Sequence, residues 1–243
     1  MIRGPLTGEF VGTFVMILLG DGVIAAAPFK PTKIEGAGWI PHITAWALAV
    51  VCGISTANFF GSADAHLNPA ITAALAVKTG EFTKCAAYFL VQVGGAFVAA
   101  VTFWLFYLSH REITRNSGAK FGAFCTEPVS RFYGSNLFSE IVATFVLISV
   151  AGTISSTRLF SAWTVAGLTP HLLGYLVRVI GLSLGSASGY AVNPARDFGP
   201  RLAYAVLPVA GKRSSDWSYA WIPIVGPFAG AILAGGVLRF IGA

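Results

Sequence analysis

Charge is what this sequence has least of. Asp, Glu, Lys and Arg together make up 11% of its 243 residues, against 55% hydrophobic residues. An average soluble domain carries about 25% charged residues. A chain this poor in charge could not clothe a water-facing surface, so a soluble domain is excluded and a polytopic membrane protein remains. Cysteine is scarce too: Cys52, Cys85 and Cys125 are odd in number, and Cys52 lies inside an apolar run, so no structural disulfide is expected. The four histidines, His42, His66, His110 and His171, are scattered. No Ser-His, Cys-His or metal-ligand constellation exists, so neither an enzyme nor a metal or cofactor site is expected. Phosphate loops and nucleic-acid motifs are absent. The net charge of +6 sits mostly in short loops, where lipid headgroups are a blander partner than nucleic acid. The first apolar run has no basic region beyond Arg3 and no small-residue cleavage site, so no cleavable signal peptide is expected.

Apolar length is abundant. A bilayer-spanning helix needs roughly 20 residues. Six stretches qualify: Pro5–Pro28, Trp39–Phe60, Phe82–Leu108, Leu137–Ser156, Trp163–Leu184 and Tyr219–Ile241. Loop charge does not orient them. With a cytoplasmic N-terminus, Arg3, Lys78, Lys84, Arg158 and Arg239 lie inside, while Lys30, Lys33, Arg111, Arg115, Lys120, Arg131, Lys212 and Arg213 lie outside. That bias favours the opposite orientation.

The chain repeats itself. Glu9-Phe10-Val11-Gly12-Thr13-Phe14-Val15 matches Glu140-Ile141-Val142-Ala143-Thr144-Phe145-Val146 at five of seven positions, and Asn68-Pro69-Ala70 recurs as Asn193-Pro194-Ala195. The reading is one transmembrane domain over residues 1–243, with repeats at about 1–117 and 136–243. Three spans per half put the second half's start on the other membrane face, so the repeats are inverted. Asn is a favoured N-cap and Pro a favoured first helical residue. The helix opened by Asn68-Pro69 runs to about Val77, roughly 14 Å at about 1.5 Å per residue. That is half a bilayer core. A matching helix follows Asn193-Pro194, and the two would meet N-terminus to N-terminus at mid-membrane. Non-helical backbone at that depth must be buried or line a cavity. Gly61–Leu67 and Gly185–Val192 therefore read as carbonyl ladders along a pore, with the Asn68 and Asn193 amides as central donors. The bland alternative is two unrelated polar caps near a surface.

These residues, with Gln92-Val93-Gly94-Gly95-Ala96 and Pro223-Ile224-Val225-Gly226-Pro227, resemble the aquaporin superfamily over essentially the whole length. The run Asn193-Pro194-Ala195-Arg196-Asp197 is similar to its glycerol-facilitator branch. The resemblance implies an all-α membrane protein with the aquaporin-like fold: six transmembrane helices plus two re-entrant half-helices in two inverted repeats. It also implies a homotetramer, a cytoplasmic N-terminus and a multi-pass place in the plasma membrane. Motif matching puts the selectivity constriction at Trp46, Gly181, Tyr190 and Arg196, with Tyr190 departing from the usual Phe. His66, Ala65, Gly189 and Ala191 become pore-lining candidates. Each has a plainer reading. Trp46 could belong to an interfacial belt, Gly181 to helix packing, Tyr190 to ordinary packing, and His66 to a bond with a loop carbonyl.

The implied function is passive diffusion of glycerol and other small uncharged solutes, with some water, while ions and protons are excluded. Candidate solutes include urea, dihydroxyacetone, undissociated lactic acid and hydrogen peroxide. A water-selective aquaporin is one alternative, though it would want His and a small residue in place of Gly181 and Tyr190. An ion-coupled secondary transporter with broken helices is the other, kept open by Asp21, Asp64 and Arg178. Intramembrane Glu9 and Glu140 are read as structural carboxylates that accept backbone N–H bonds from the re-entrant loops. Asp21 caps a helix break or pairs near the outer vestibule. Asp64 and Arg178 are expected to form an ion pair between the first re-entrant loop and the fifth span, the alternative being Asp64 near Lys84.

Overall fold

A computed structural model of the chain describes residues 3–156 and 162–242, which leaves Arg158 of the charge tally outside the described residues. Ten helices are described: α1 Pro5–Ala26, α2 Trp39–Phe59, α3 Pro69–Thr79, α4 Cys85–Phe106, α5 Leu108–Ile113, α6 Ser117–Gly122, α7 Tyr133–Ile154, α8 Ala162–Ser183, α9 Pro194–Val206 and α10 Ile222–Phe240. Among the described residues, α1, α2, α4, α7 and α10 are long and apolar enough to cross a membrane. Helix α8 is as long as α1, 22 residues, with Pro170 in its interior. The two 11- and 13-residue helices α3 and α9 are too short to cross. Long apolar faces on α2, α4 and α10 remain exposed, including Leu48, Leu90 and Leu233. In water such faces would drive aggregation; toward lipid they cost nothing.

The packing has a two-fold pattern. Helix α1 lies against α2 and α4, and α7 lies against α8 and α10. The half-helices cross over: α3 packs on α10, and α9 packs on α4. Each half therefore completes its core with the other, and neither is closed alone. At the α1–α4 crossing, a Cβ on Gly95 would collide with the Phe10 carbonyl oxygen. At the α7–α10 crossing, one on Gly230 would collide with the Ile141 carbonyl oxygen. The missing side chains let these backbones touch, which is how helices associate where no hydrophobic effect draws them together. The short helices α5 and α6 lie between the last apolar run of the first repeat and the first of the second. Six residues carry no readable periodicity, although Asn116 Oδ1 caps α6 by accepting from the Ala119 N–H at 3.1 Å.

Candidate functional site

The two half-helices meet end to end through their caps. Asn68 Oδ1 accepts from the Ala70 N–H at 2.8 Å, and Asn193 Oδ1 accepts from the Ala195 N–H at 3.0 Å. Each amide nitrogen then reaches across. Asn68 Nδ2 donates to the Val192 carbonyl at 2.8 Å, and Asn193 Nδ2 donates to the Leu67 carbonyl at 2.9 Å. Each carbonyl belongs to the residue just before the opposite asparagine. An amide nitrogen carries two hydrogens, so one on each asparagine remains for the cavity that both line.

The segments leading into the caps are strained in register. Ala65 and Leu67 have φ of 39° and 52°, and Tyr190 and Val192 have φ of 38° and 42°. Left-handed backbone costs a non-glycine residue about 1–3 kcal/mol. An ordinary strand turns successive peptide groups to opposite sides, and a left-handed residue at every second position breaks that alternation. Two buried carboxylates hold the strain. Glu9 accepts four bonds at 2.7 Å: Ser62 Oγ and the His66 N–H at Oε1, the Leu67 N–H and Gln92 Nε2 at Oε2. Glu140 accepts Ser188 Oγ at 2.7 Å and the Ala191 and Val192 N–H groups at 3.0 Å. With the N–H groups engaged by carboxylates on α1 and α7, the carbonyls are free to face the other way.

A cavity of about 550 Å³ runs along this seam. Its lining includes Lys78, Ser155 and Ser156, the central asparagines Asn68 and Asn193, and Trp46, Tyr190 and Arg196. Ala65, His66 and Ala191 also line it. The Arg196 guanidinium lies over the Trp46 ring, 4.6 Å from its centroid. The Trp46 indole N–H and the Tyr190 hydroxyl have no protein partner among the described residues. Trp46 and Tyr190 thus offer two aromatic walls beside polar groups that are not consumed internally. Gly181 and Gly189 do not line the cavity. Beside Gly181 the space is already taken: a Cβ there would stand 2.8 Å from Ile43 Cγ2 and 3.1 Å from Tyr190 Cζ. Its carbonyl accepts from Trp39 Nε1 at 3.0 Å. Gly189 makes a left-handed turn, φ 85°, ahead of Tyr190.

The major intrinsic protein family profile matches residues 3–238. The chain belongs to the major intrinsic protein family. It is 46% identical over 235 residues to the probable glycerol uptake facilitator protein of Thermotoga maritima, covering 96% of this chain and 97% of that one. It is 43% identical to glycerol uptake facilitator protein 3 of Lactiplantibacillus plantarum, covering 99% and 98%. Its structure is similar to the X-ray structure of the aquaglyceroporin from Plasmodium falciparum, with TM-score 0.80, 28% identity and 98% and 96% of the two chains covered. The aquaporin-like fold follows, and with it residence in a membrane.

In this major intrinsic protein the expected Asp64–Arg178 pair does not form. Asp64 takes Lys84 Nζ at 2.5 Å, the Tyr88 hydroxyl at 3.1 Å and Ser62 Oγ at 3.3 Å, with His66 Nε2 at 3.5 Å. The first re-entrant loop lies where α4 begins, and Lys84 and Tyr88 are one helical turn apart there. Arg178 is exposed, in phase with exposed Tyr175, Val179 and Leu182 on the outward stripe of α8. His66 Nδ1 meets the Thr72 hydroxyl at 3.0 Å rather than a loop carbonyl. Asp21 is fully buried in α1, where the helix continues unbroken, and its Oδ1 lies 3.8 Å from Arg196 Nη1. Asp197 is bound by Thr126 and Arg201, whose side chains are equally buried. Ser62, Ser188, Gln92, Trp39 and Ile43 carry parts of the site that the sequence reading missed. Gln92 did give a signal, as a lone amide within an apolar span.

Proposed function

We propose that this chain is a passive channel of the plasma membrane for glycerol and other small uncharged solutes, with some water, and that it excludes ions and protons. The observation that carries the reading is the reciprocal meeting of the two asparagine caps on a cavity that Trp46, Tyr190 and Arg196 also line. Glycerol has a hydrocarbon edge and a hydroxyl edge. Trp46 and Tyr190 suit the first, and Arg196 donates to the second. Backbone carbonyls take the hydroxyl protons. An unmet hydroxyl costs about 1–3 kcal/mol, so a row of moderate partners admits the solute without trapping it. Cations meet Arg196 and two positive half-helix ends, the barrier general to aquaporin-type pores. Water, urea, dihydroxyacetone, hydrogen peroxide and undissociated lactic acid share the needed size and neutrality. The domain is taken as two repeats, about 1–117 and 136–243, assembled as a homotetramer in the lipid bilayer. The outward α8 stripe, which carries Arg178, is available to a neighbouring subunit or to headgroups.

Stopped-flow light scattering on proteoliposomes tests this with a panel of solutes. Glycerol flux should rise linearly with its gradient and be indifferent to ions. Saturating, ion-dependent uptake would instead make the chain a secondary transporter, and water flux without glycerol flux would make it a water-selective pore.

A further inference from the structure

Arg196 is one of the strongest donors on the cavity, and its conformation decides where its N–H groups point. The obvious partner is its neighbour Asp197, but Asp197 has nothing left to give. Its Oδ1 accepts the Thr126 N–H at 2.8 Å, the Thr126 hydroxyl, and Arg201 Nη2 at 2.8 Å. Its Oδ2 accepts Arg201 Nε at 2.7 Å. Arg201 adds bonds to the Ser215 and Thr126 carbonyls. That pair closes on itself and staples α9 to the loop before α7.

Asp21 is the opposite case. It is fully buried, and neither carboxylate oxygen has a hydrogen-bond partner among the described residues. Its ion-pair partner is Arg196, whose Nη1 stands 3.8 Å away and is likewise unpartnered. A buried carboxylate needs a counter-charge, and Arg196 is in place to supply it. Gly20, the residue before Asp21, lets the Trp46 ring lie against α1, since any Cβ there would strike the ring at 2.7 Å. The guanidinium thereby meets both the Trp46 ring and the Asp21 carboxylate.

We propose that Asp21 is the positioning residue that orients Arg196 and so sets which neutral solutes pass. The proposal rests on the channel reading above. With Nη1 drawn toward α1, the remaining guanidinium edge faces the cavity in one orientation, and its charge is countered from α1. Asp21 touches no solute and acts through Arg196.

The test is a double-mutant cycle in proteoliposomes, reading glycerol against water and against a four-carbon polyol. Asp21→Asn keeps the shape and removes the charge. It should change the glycerol-to-water ratio by about threefold or more, while Asp21→Glu stays nearer the wild type. In an Arg196→Leu background, Asp21→Asn should change the ratio no further. It should also raise the yield of folded protein, because the unpaired buried carboxylate is gone. A purely structural Asp21 would instead give equal effects in both backgrounds, and that result overturns the proposal. A crystal structure of Asp21→Asn is the arm independent of flux, in which Arg196 should leave its place over the Trp46 ring. If wild-type protein passes no glycerol, the channel reading fails and this arm still judges Asp21. If glycerol passes and Asp21→Asn changes neither the ratio nor Arg196, the channel stands and the proposal falls.

Discussion

Replacing Glu9 by Gln removes a charge and one acceptor from the site without changing its shape. The amide oxygen can keep the Oε1 position and its bonds from Ser62 and the His66 N–H. The amide nitrogen then faces the Leu67 N–H and Gln92. Gln92 can adapt, because its own Oε1 is buried and unpartnered and a flipped amide would accept from the new donor. Leu67 cannot adapt, since its N–H is left facing another donor. Losing one hydrogen bond to a charged group costs about 1.5–3 kcal/mol. Relaxing the φ of 52° returns part of that, but it carries the Leu67 carbonyl away from Asn193 Nδ2. The expected net loss is about 2 kcal/mol. For a chain of this size that lowers the melting temperature by about 4–8 °C. Glu9→Ala, which removes all four bonds and leaves a void, should not yield folded protein. Thermal unfolding in detergent, amide exchange at Leu67 and stopped-flow flux read the three consequences. Wild-type values for Glu9→Gln in all three would refute the reasoning, and so would a Gln variant as damaged as the Ala variant.

Two further outcomes follow from other parts of the molecule. Gly181→Ala places a methyl against Ile43 and Tyr190. The ring must move toward the cavity, so glycerol flux should fall more than water flux, and equal losses in the two would count against the placement of Tyr190. In the loop before α10, the Arg131 guanidinium hydrogen-bonds Asp216 and holds its carboxyl below the usual carboxylate range. A depressed folded pKa contributes stability that is complete above the unfolded value near 4 and is lost as pH falls through the folded value. Wild-type stability should therefore drop below about pH 4 by an increment that Asp216→Asn lacks, measured by unfolding across pH 2–6; parallel curves would show that the pair does nothing.

Much of this protein is determined locally and is legible without coordinates. Helix α3 begins at Asn68-Pro69 and α9 at Asn193-Pro194, because a cap and a first-turn proline act within three or four residues. The long helices begin and end within about four residues of the apolar runs, since span length is set by the bilayer and read directly from composition. The echo of Glu9 in Glu140, and of Asn68 in Asn193, placed an intramembrane carboxylate beside each half-helix. The partners of those residues were not legible. Which donors reach Glu9 depends on the loop folding back by more than 50 residues of sequence onto α1. The fate of Asp64 and Arg178 turned on helix rotation: Arg178 falls on the outward stripe of α8 with Tyr175, Val179 and Leu182, and apolar residues on that stripe do not distinguish it from the inner face. Gly181 was known to lack a side chain, but only packing shows Ile43 and Tyr190 filling the space. Asp21 met Arg196 because α9 of one half is driven into the helices of the other. In lipid both faces of a helix are apolar, so sequence marks where a helix crosses, and only tertiary contact decides which way it is turned.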